Sequence, residues 1–129
     1  SEVENATTLA EIRTINQEII WYIKDNKDVI RNNIRMALVN LGEKVVDKAN
    51  EFIDNVENLL VLMKSRTCTE QAGKISEVEG QLASMQTSIN ALEEAVKAKD
   101  TATIKKEVRI IKTLSKEIYD NMKILEEMC

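Results

Sequence analysis

Apolar residues recur at helical spacing along most of the chain, most clearly in its second half, residues 68–129. Two series there alternate steps of three and four residues, which places each series on one face of an α-helix. The first series is Ile75, Val78, Leu82, Met85, Ile89, Leu92 and Val96, and the second is Ile104, Val108, Ile111, Leu114, Ile118, Met122 and Leu125. The pattern predicts two helices of nearly equal length, over about 68–98 and 101–128, folded into an antiparallel hairpin.

The only two cysteines, Cys68 and Cys129, lie at the two ends of this hairpin. These ends meet when matched helices fold back on each other, so the sequence predicts a Cys68–Cys129 disulfide. Closing a loop of this size stabilises a fold by roughly 4 kcal/mol if the bond is unstrained. A disulfide implies an oxidising compartment, and a start at Ser1 is typical of a processed secreted protein. The other interpretations are two buried free thiols in a cytosolic protein and a recombinant start.

The first half of the chain also has helical periodicity. Leu9, Ile12, Ile15 or Asn16, Ile19 and Ile23 predict a first helix over about 3–24. A second run keeps helical spacing over 28–64, either as one helix bent near Gly42 or as two helices, about 28–40 and 43–64. Proline is absent and glycine occurs only three times, so few residues break helices. We therefore expect one all-α domain, residues 1–129, built as an antiparallel bundle of four or five helices with a stapled C-terminal hairpin.

The end of the first predicted helix is apolar on every side, because Ile19, Ile20, Trp21, Tyr22 and Ile23 are consecutive. A helix that is apolar all round is either buried centrally or touches a partner. The first interpretation makes this turn part of the core. The second makes Trp21 or Tyr22 an exposed anchor for a partner, since both residue types are enriched at binding hot spots.

A basic ridge follows the apolar stripe of the last predicted helix. It consists of Lys105, Arg109, Lys112 and Lys116, at steps of four, three and four residues. Glu107 is the only acid within 101–116, whereas the preceding helix is rich in glutamate. The ridge either complements that neighbouring helix or attracts an acidic partner or polyanion.

The composition restricts the chemistry. The chain has no histidine, which removes the commonest general base and most zinc sites. It has no glycine-rich phosphate loop, and a formal charge of −4 argues against nucleic acid as the main partner. No apolar run approaches the length of a membrane span. We therefore expect a protein that is not an enzyme, without metal or cofactor; Asn5 in Asn5-Ala6-Thr7 is a possible glycosylation site.

The chain resembles the secreted salivary proteins of anopheline mosquitoes in size, acidic all-helical composition, non-Met start and placement of Cys68 and Cys129. Within that family it is most similar to the albicin-like group, which inhibits the alternative pathway of complement. The collagen-binding antiplatelet members resemble it in their helical C-terminal part but carry an acidic glycine-rich region and further cysteines that this chain lacks. The resemblance implies an extracellular protein that evades host immunity by binding a host plasma protein, with the alternative-pathway convertase as the expected partner.

Two other functions fit the same pattern. Amphipathic helices can bind lipid or a small ligand, although a disulfide between helix ends would restrict opening of the hairpin. The chain could also be a structural or oligomerising helical module. Of these three functions, the sequence favours the secreted inhibitor of a host plasma protein.

Overall fold

A computed structural model describes residues 8–65 and 71–128, and all regular structure in these two stretches is helical. Five helices follow one another along the described chain. They are α1 (Leu9–Asp25), α2 (Lys27–Asn32), α3 (Arg35–Ser65), α4 (Ala72–Ala98) and α5 (Thr101–Met128). The all-α prediction is thereby confirmed. Asn5, Cys68 and Cys129 lie outside the described residues, so the predicted glycosylation site and disulfide stay predictions.

The four long helices form an antiparallel bundle. Early α3 lies beside late α4, since Gly42 packs on Leu92 and Val96, while Lys64 near the end of α3 pairs with Glu79 near the start of α4. In the α4–α5 hairpin, the Gln71 side-chain amide donates to the Leu125 carbonyl at 2.9 Å. The ends of the hairpin therefore meet, as the matched apolar series predicted. Helix α1 packs against α3 and α5, and α3 also contacts α5 across the bundle.

The core consists of the apolar stripes that the sequence identified. Every member of the two C-terminal series is buried except Val96 and Leu114, which are half-buried and pack against the core. Burial of a large aliphatic side chain stabilises by about 1.5–3 kcal/mol, so these stripes supply most of the driving force for folding. No helix within the described ranges is long and apolar enough to cross a membrane.

Polar pairs join α5 to both of its neighbours inside the bundle. The Ser88 hydroxyl on α4 donates to the Glu107 carboxylate at 2.7 Å, and the Ser115 hydroxyl donates to the Asn16 side-chain oxygen on α1 at 2.8 Å. All four residues are buried. Hydrogen-bonded polar groups of this kind fix how the helices are rotated and aligned, because any other register would leave them unpaired.

The helical run in the first half is interrupted at Asn33, so both forms of the prediction, one helix over 28–64 and two helices that divide near Gly42, are wrong. Asn33 has the left-handed backbone conformation, with φ 58° and ψ 41°, which asparagine tolerates better than most residues. Helix α3 then continues from Arg35 to Ser65 through Gly42. Gly42 is buried against α4, so its missing side chain serves close packing of helices rather than a break in the chain.

The turn between α4 and α5 is fixed from both sides. Lys99 ends α4 in the left-handed conformation, with φ 56°, and its backbone N–H donates to the Val96 carbonyl at 3.2 Å. Asp100 caps α5, because its carboxylate accepts from the Thr103 hydroxyl at 2.6 Å and from the Thr103 backbone N–H at 3.2 Å. These bonds hold the pKa of Asp100 below its ordinary value.

Candidate binding surfaces

The apolar turn at the end of α1 divides between core and surface. Ile19 and Ile23 are buried, Tyr22 is half-buried against the core, and Trp21 is 58% exposed. The two aromatic rings are in contact edge to face, with centroids 5.4 Å apart and an interplanar angle of 65°. The two interpretations of this turn therefore both describe part of it: one side is core, and the other presents a tryptophan to solvent.

Tyr22 connects Trp21 to the core and to α3. Its ring packs against the core and lies 5.6 Å from the Lys44 ammonium group of α3, within range of a cation–π contact. Its backbone carbonyl accepts a hydrogen bond of 2.7 Å from the Asn26 side chain. Edge-to-face pairs of this kind add about 0.5–1.5 kcal/mol beyond the area that they bury. We call Trp21 and Tyr22 the aromatic pair. It presents an exposed tryptophan whose neighbour is fixed to the core.

The basic ridge of α5 lies beside α1 and α2 at Arg109 and Lys112. Arg109 and Lys116 are exposed, whereas Lys105 and Lys112 are half-buried along the helix flank. Lys116 pairs with Asp120 at 3.2 Å on its own helix. The opposite flank of α5, which carries Glu107 and Asn121, contacts α4 instead.

Arg109 and Lys112 line an open groove with residues of α1 and α2. The groove measures about 520 Å³, and we call it the basic groove; its lining residues are Ile23, Lys24, Lys27, Ile30, Arg31, Arg109 and Lys112. Five of these are basic, none is acidic, and the two isoleucines supply the apolar surface. In a chain of net charge −4, this groove is a local concentration of positive charge that can bind an anion.

The groove cations have no carboxylate partners among the described residues. Ion pairs within 4.0 Å in these stretches involve Lys48, Lys64, Lys74, Lys97 and Lys116, none of which lines the groove. The sequence left open whether the basic ridge pairs with the glutamates of α4. None of them, in the described part of the chain, joins a ridge residue to a glutamate of α4.

Sequence reasoning identified one wall of the groove and missed the other. Lys24, Lys27 and Arg31 are interspersed with Asp25 and Asp28, so they form no basic run. Only the packing of α1 and α2 beside α5 brings them opposite the ridge. The available signal was their spacing of three and four residues, which becomes informative once the neighbouring helix is known.

A second groove, on the other flank of α1, has the opposite charge. This acidic groove, between α1 and α3, is lined by Ala10, Glu11, Thr14, Ile15, Glu18, Glu51 and Asn55. Lys48 pairs with Glu18 at 2.8 Å and with Glu51 at 3.3 Å. The hydrogen bond with Glu18 is the main cause that raises the pKa of Lys48 above its ordinary value.

Within residues 8–65 and 71–128, no group of three metal-binding side chains is placed to hold an ion. Comparison of the chain with protein-family models, with curated proteins and with solved structures finds no match. The candidate surfaces are therefore interpreted from their own geometry and charge.

Proposed function

We propose that this protein is a secreted, non-enzymatic inhibitor that binds a host plasma protein through the aromatic pair. The observation that carries the proposal is Trp21, which is 58% exposed yet supported by Tyr22. The resemblance to the albicin-like salivary proteins makes the alternative-pathway convertase of complement the partner that we propose.

An exposed tryptophan with a rigid base suits tight protein binding. Trp side chains dominate many interfaces because they bury a large area and have few rotatable bonds to immobilise. The contact of Trp21 with Tyr22, and of Tyr22 with Lys44, reduces the conformational entropy that binding would otherwise cost. Lys24, one turn further along α1, places positive charge next to the anchor and favours an acidic rim on the partner.

Rigidity of the scaffold is part of the same proposal. We infer that Cys68 and Cys129 form a disulfide at the open end of the α4–α5 hairpin. The hydrogen bond from Gln71 to Leu125, which joins the described parts of those ends, supports this pairing. A stapled bundle with a buried core would hold the anchor in one conformation. Inhibition then follows from occupying a surface of the convertase, without any chemical step.

Lysis of erythrocytes through the alternative pathway tests the proposal. The purified protein should inhibit lysis at micromolar concentration or below, and Trp21→Ala should weaken inhibition by tenfold or more, which corresponds to about 1.4 kcal/mol. Met36→Ala is the matched control, because Met36 is 57% exposed on another helix. No inhibition at micromolar concentration contradicts the proposed partner. Equal potency of the two variants contradicts the proposed anchor.

A further inference from the structure

Of the basic groove, the proposed inhibition uses only the charge of Lys24. Lys24, Lys27 and Arg31 stand on one wall, and Arg109 and Lys112 on the other. Arg109 and Lys112 belong to the basic ridge of α5, which extends from Lys105 to Lys116 over about 16 Å at 1.5 Å per residue. The groove thus lies between three cations on one wall and two on the other. Two facing rows match an extended chain of anions better than a single anion.

We propose that the basic groove binds a sulfated polysaccharide. Sulfate groups along a linear glycan would accept charge-assisted hydrogen bonds from the lysines and from the guanidinium groups of Arg31 and Arg109, which can bind two oxygens at once. The half-buried Ile30 and the almost fully buried Ile23 supply the apolar surface between the rows. Binding brings negative charge into a site where no carboxylate lines the wall.

The lining residues favour a glycan over the other common polyanions. Proteins that hold single-stranded nucleic acid combine positive charge with aromatic side chains on which bases stack. The basic groove has no aromatic lining residue. Anionic membranes are bound by surfaces that insert exposed apolar residues, whereas the two apolar lining residues, Ile23 at 7% exposure and the half-buried Ile30, lie between flanking cations.

Retention of the intact protein on immobilised heparin tests the assignment. At a physiological ionic strength of about 0.15 M, a protein of net charge −4 should flow through unless it carries a local site. We expect the wild type to be retained and to elute with salt. Arg109→Gln/Lys112→Gln should weaken the affinity for a size-defined heparin oligosaccharide about tenfold, on the order of half a log unit for each cation removed from the groove.

The matched control is Lys97→Gln/Lys123→Gln, which changes the net charge equally at exposed positions outside the groove. This variant should bind as the wild type does. Equal weakening in both double variants, or flow-through of the wild type, overturns the proposal. Equal affinity for a single-stranded oligonucleotide of the same charge overturns the assignment to a glycan.

A measurement on the wild-type protein tests the site even if the groove variant fails to fold. Lysine acetylation in the presence of the heparin oligosaccharide should be suppressed at Lys24, Lys27 and Lys112 but not at Lys97 and Lys123. Equal suppression of acetylation at all five lysines would contradict binding in the basic groove. Trp21 does not line the groove, so Trp21→Ala should bind heparin normally even where it loses inhibition of lysis. The experiments can therefore contradict inhibition through Trp21 without contradicting heparin binding, and the reverse.

Discussion

Gly42 of α3 lies so close to Val96 of α4 that a β-carbon added at Gly42 would be 2.7 Å from the Val96 Cγ2 atom. The same β-carbon would be 3.4 Å from Leu92 Cδ1 and 3.5 Å from Ile104 Cγ2. Three helices thus converge on one glycine. Glycine costs about 1 kcal/mol of helix propensity at this position, but a larger residue would push these helices apart.

Gly42→Ala is therefore expected to destabilise the fold by about 1 kcal/mol. The gain in helix propensity is about 1 kcal/mol, whereas overpacking a core costs about 1–3 kcal/mol. Val96 is β-branched and cannot easily rotate away. Denaturant unfolding measures the difference. Gly80→Ala is the matched control, since a β-carbon at this helical position has nothing within 4 Å and should stabilise by about 0.5–1 kcal/mol. Equal stabilisation by both changes would contradict the close contact.

Lys99→Gly is expected to stabilise the protein by about 0.5–1 kcal/mol. The left-handed conformation costs most L-residues about 1–2 kcal/mol, and glycine avoids this cost while adding some entropy to the unfolded chain. Lys97→Gly, within the last turn of α4, should instead destabilise by about 1 kcal/mol. Thermal and denaturant unfolding of the two variants distinguish the positions. A loss of stability in Lys99→Gly would show that the Lys99 side chain contributes more than its backbone strain costs.

Lys48 should contribute stability that disappears at alkaline pH. Its pKa in the folded protein is raised above the ordinary 10.5, chiefly by the hydrogen bond with Glu18. A raised pKa means that the folded state binds the proton more tightly, so the contribution is complete below about pH 10.5 and is lost as pH rises through the folded value. The free energy of unfolding of wild type and Lys48→Met, measured from pH 7 to 11.5, should converge above pH 10.5. If the difference in free energy of unfolding between the two proteins does not change with pH, the proposed contribution of the Lys48 ion pairs is excluded.

The predicted Cys68–Cys129 disulfide should lower the intact mass by about two hydrogens relative to the reduced protein. Reductant, or the Cys68→Ser/Cys129→Ser change, should lower the free energy of unfolding by about 2–4 kcal/mol. Mass spectrometry of the untreated and the alkylated protein measures the first effect, and denaturant unfolding the second. Two alkylated thiols in the untreated protein would contradict the bond.

Helix periodicity predicted the bundle because burial follows the apolar stripe closely. Ile104, Val108 and Ile111 are fully buried, as their spacing indicated. The interruption at Asn33 was missed because a single left-handed residue leaves the apolar spacing on either side almost unchanged. The pair Asn32-Asn33 was the local signal, since asparagine is common at helix C-termini.

The binding surfaces were predictable only as far as they lie on one helix. The basic ridge follows from periodicity within α5, and exposure of Trp21 was one of two open interpretations. Trp21 is two residues, or about 200° around the helix, from both Ile19 and Ile23, so the apolar stripe of α1 already favoured its exposure. The second wall of the basic groove depends on α1 lying beside α5, a long-range relationship with no local signature. Glu107 is two residues, or about 200° around the helix, from Lys105 and Arg109, so it lies on the other flank, where it accepts a hydrogen bond from Ser88.

Helix α1 separates two grooves of opposite sign, with Glu11, Glu18 and Glu51 on one flank and the five groove cations on the other. This separation creates an electric dipole transverse to the helix. The field of a highly charged polyanion exerts a torque on such a dipole. It turns the α5 flank of the protein towards the polyanion before contact occurs. Encounters are then biased towards one orientation. At high ionic strength the torque is screened, so the rate of productive docking should fall more steeply than the rate of collision.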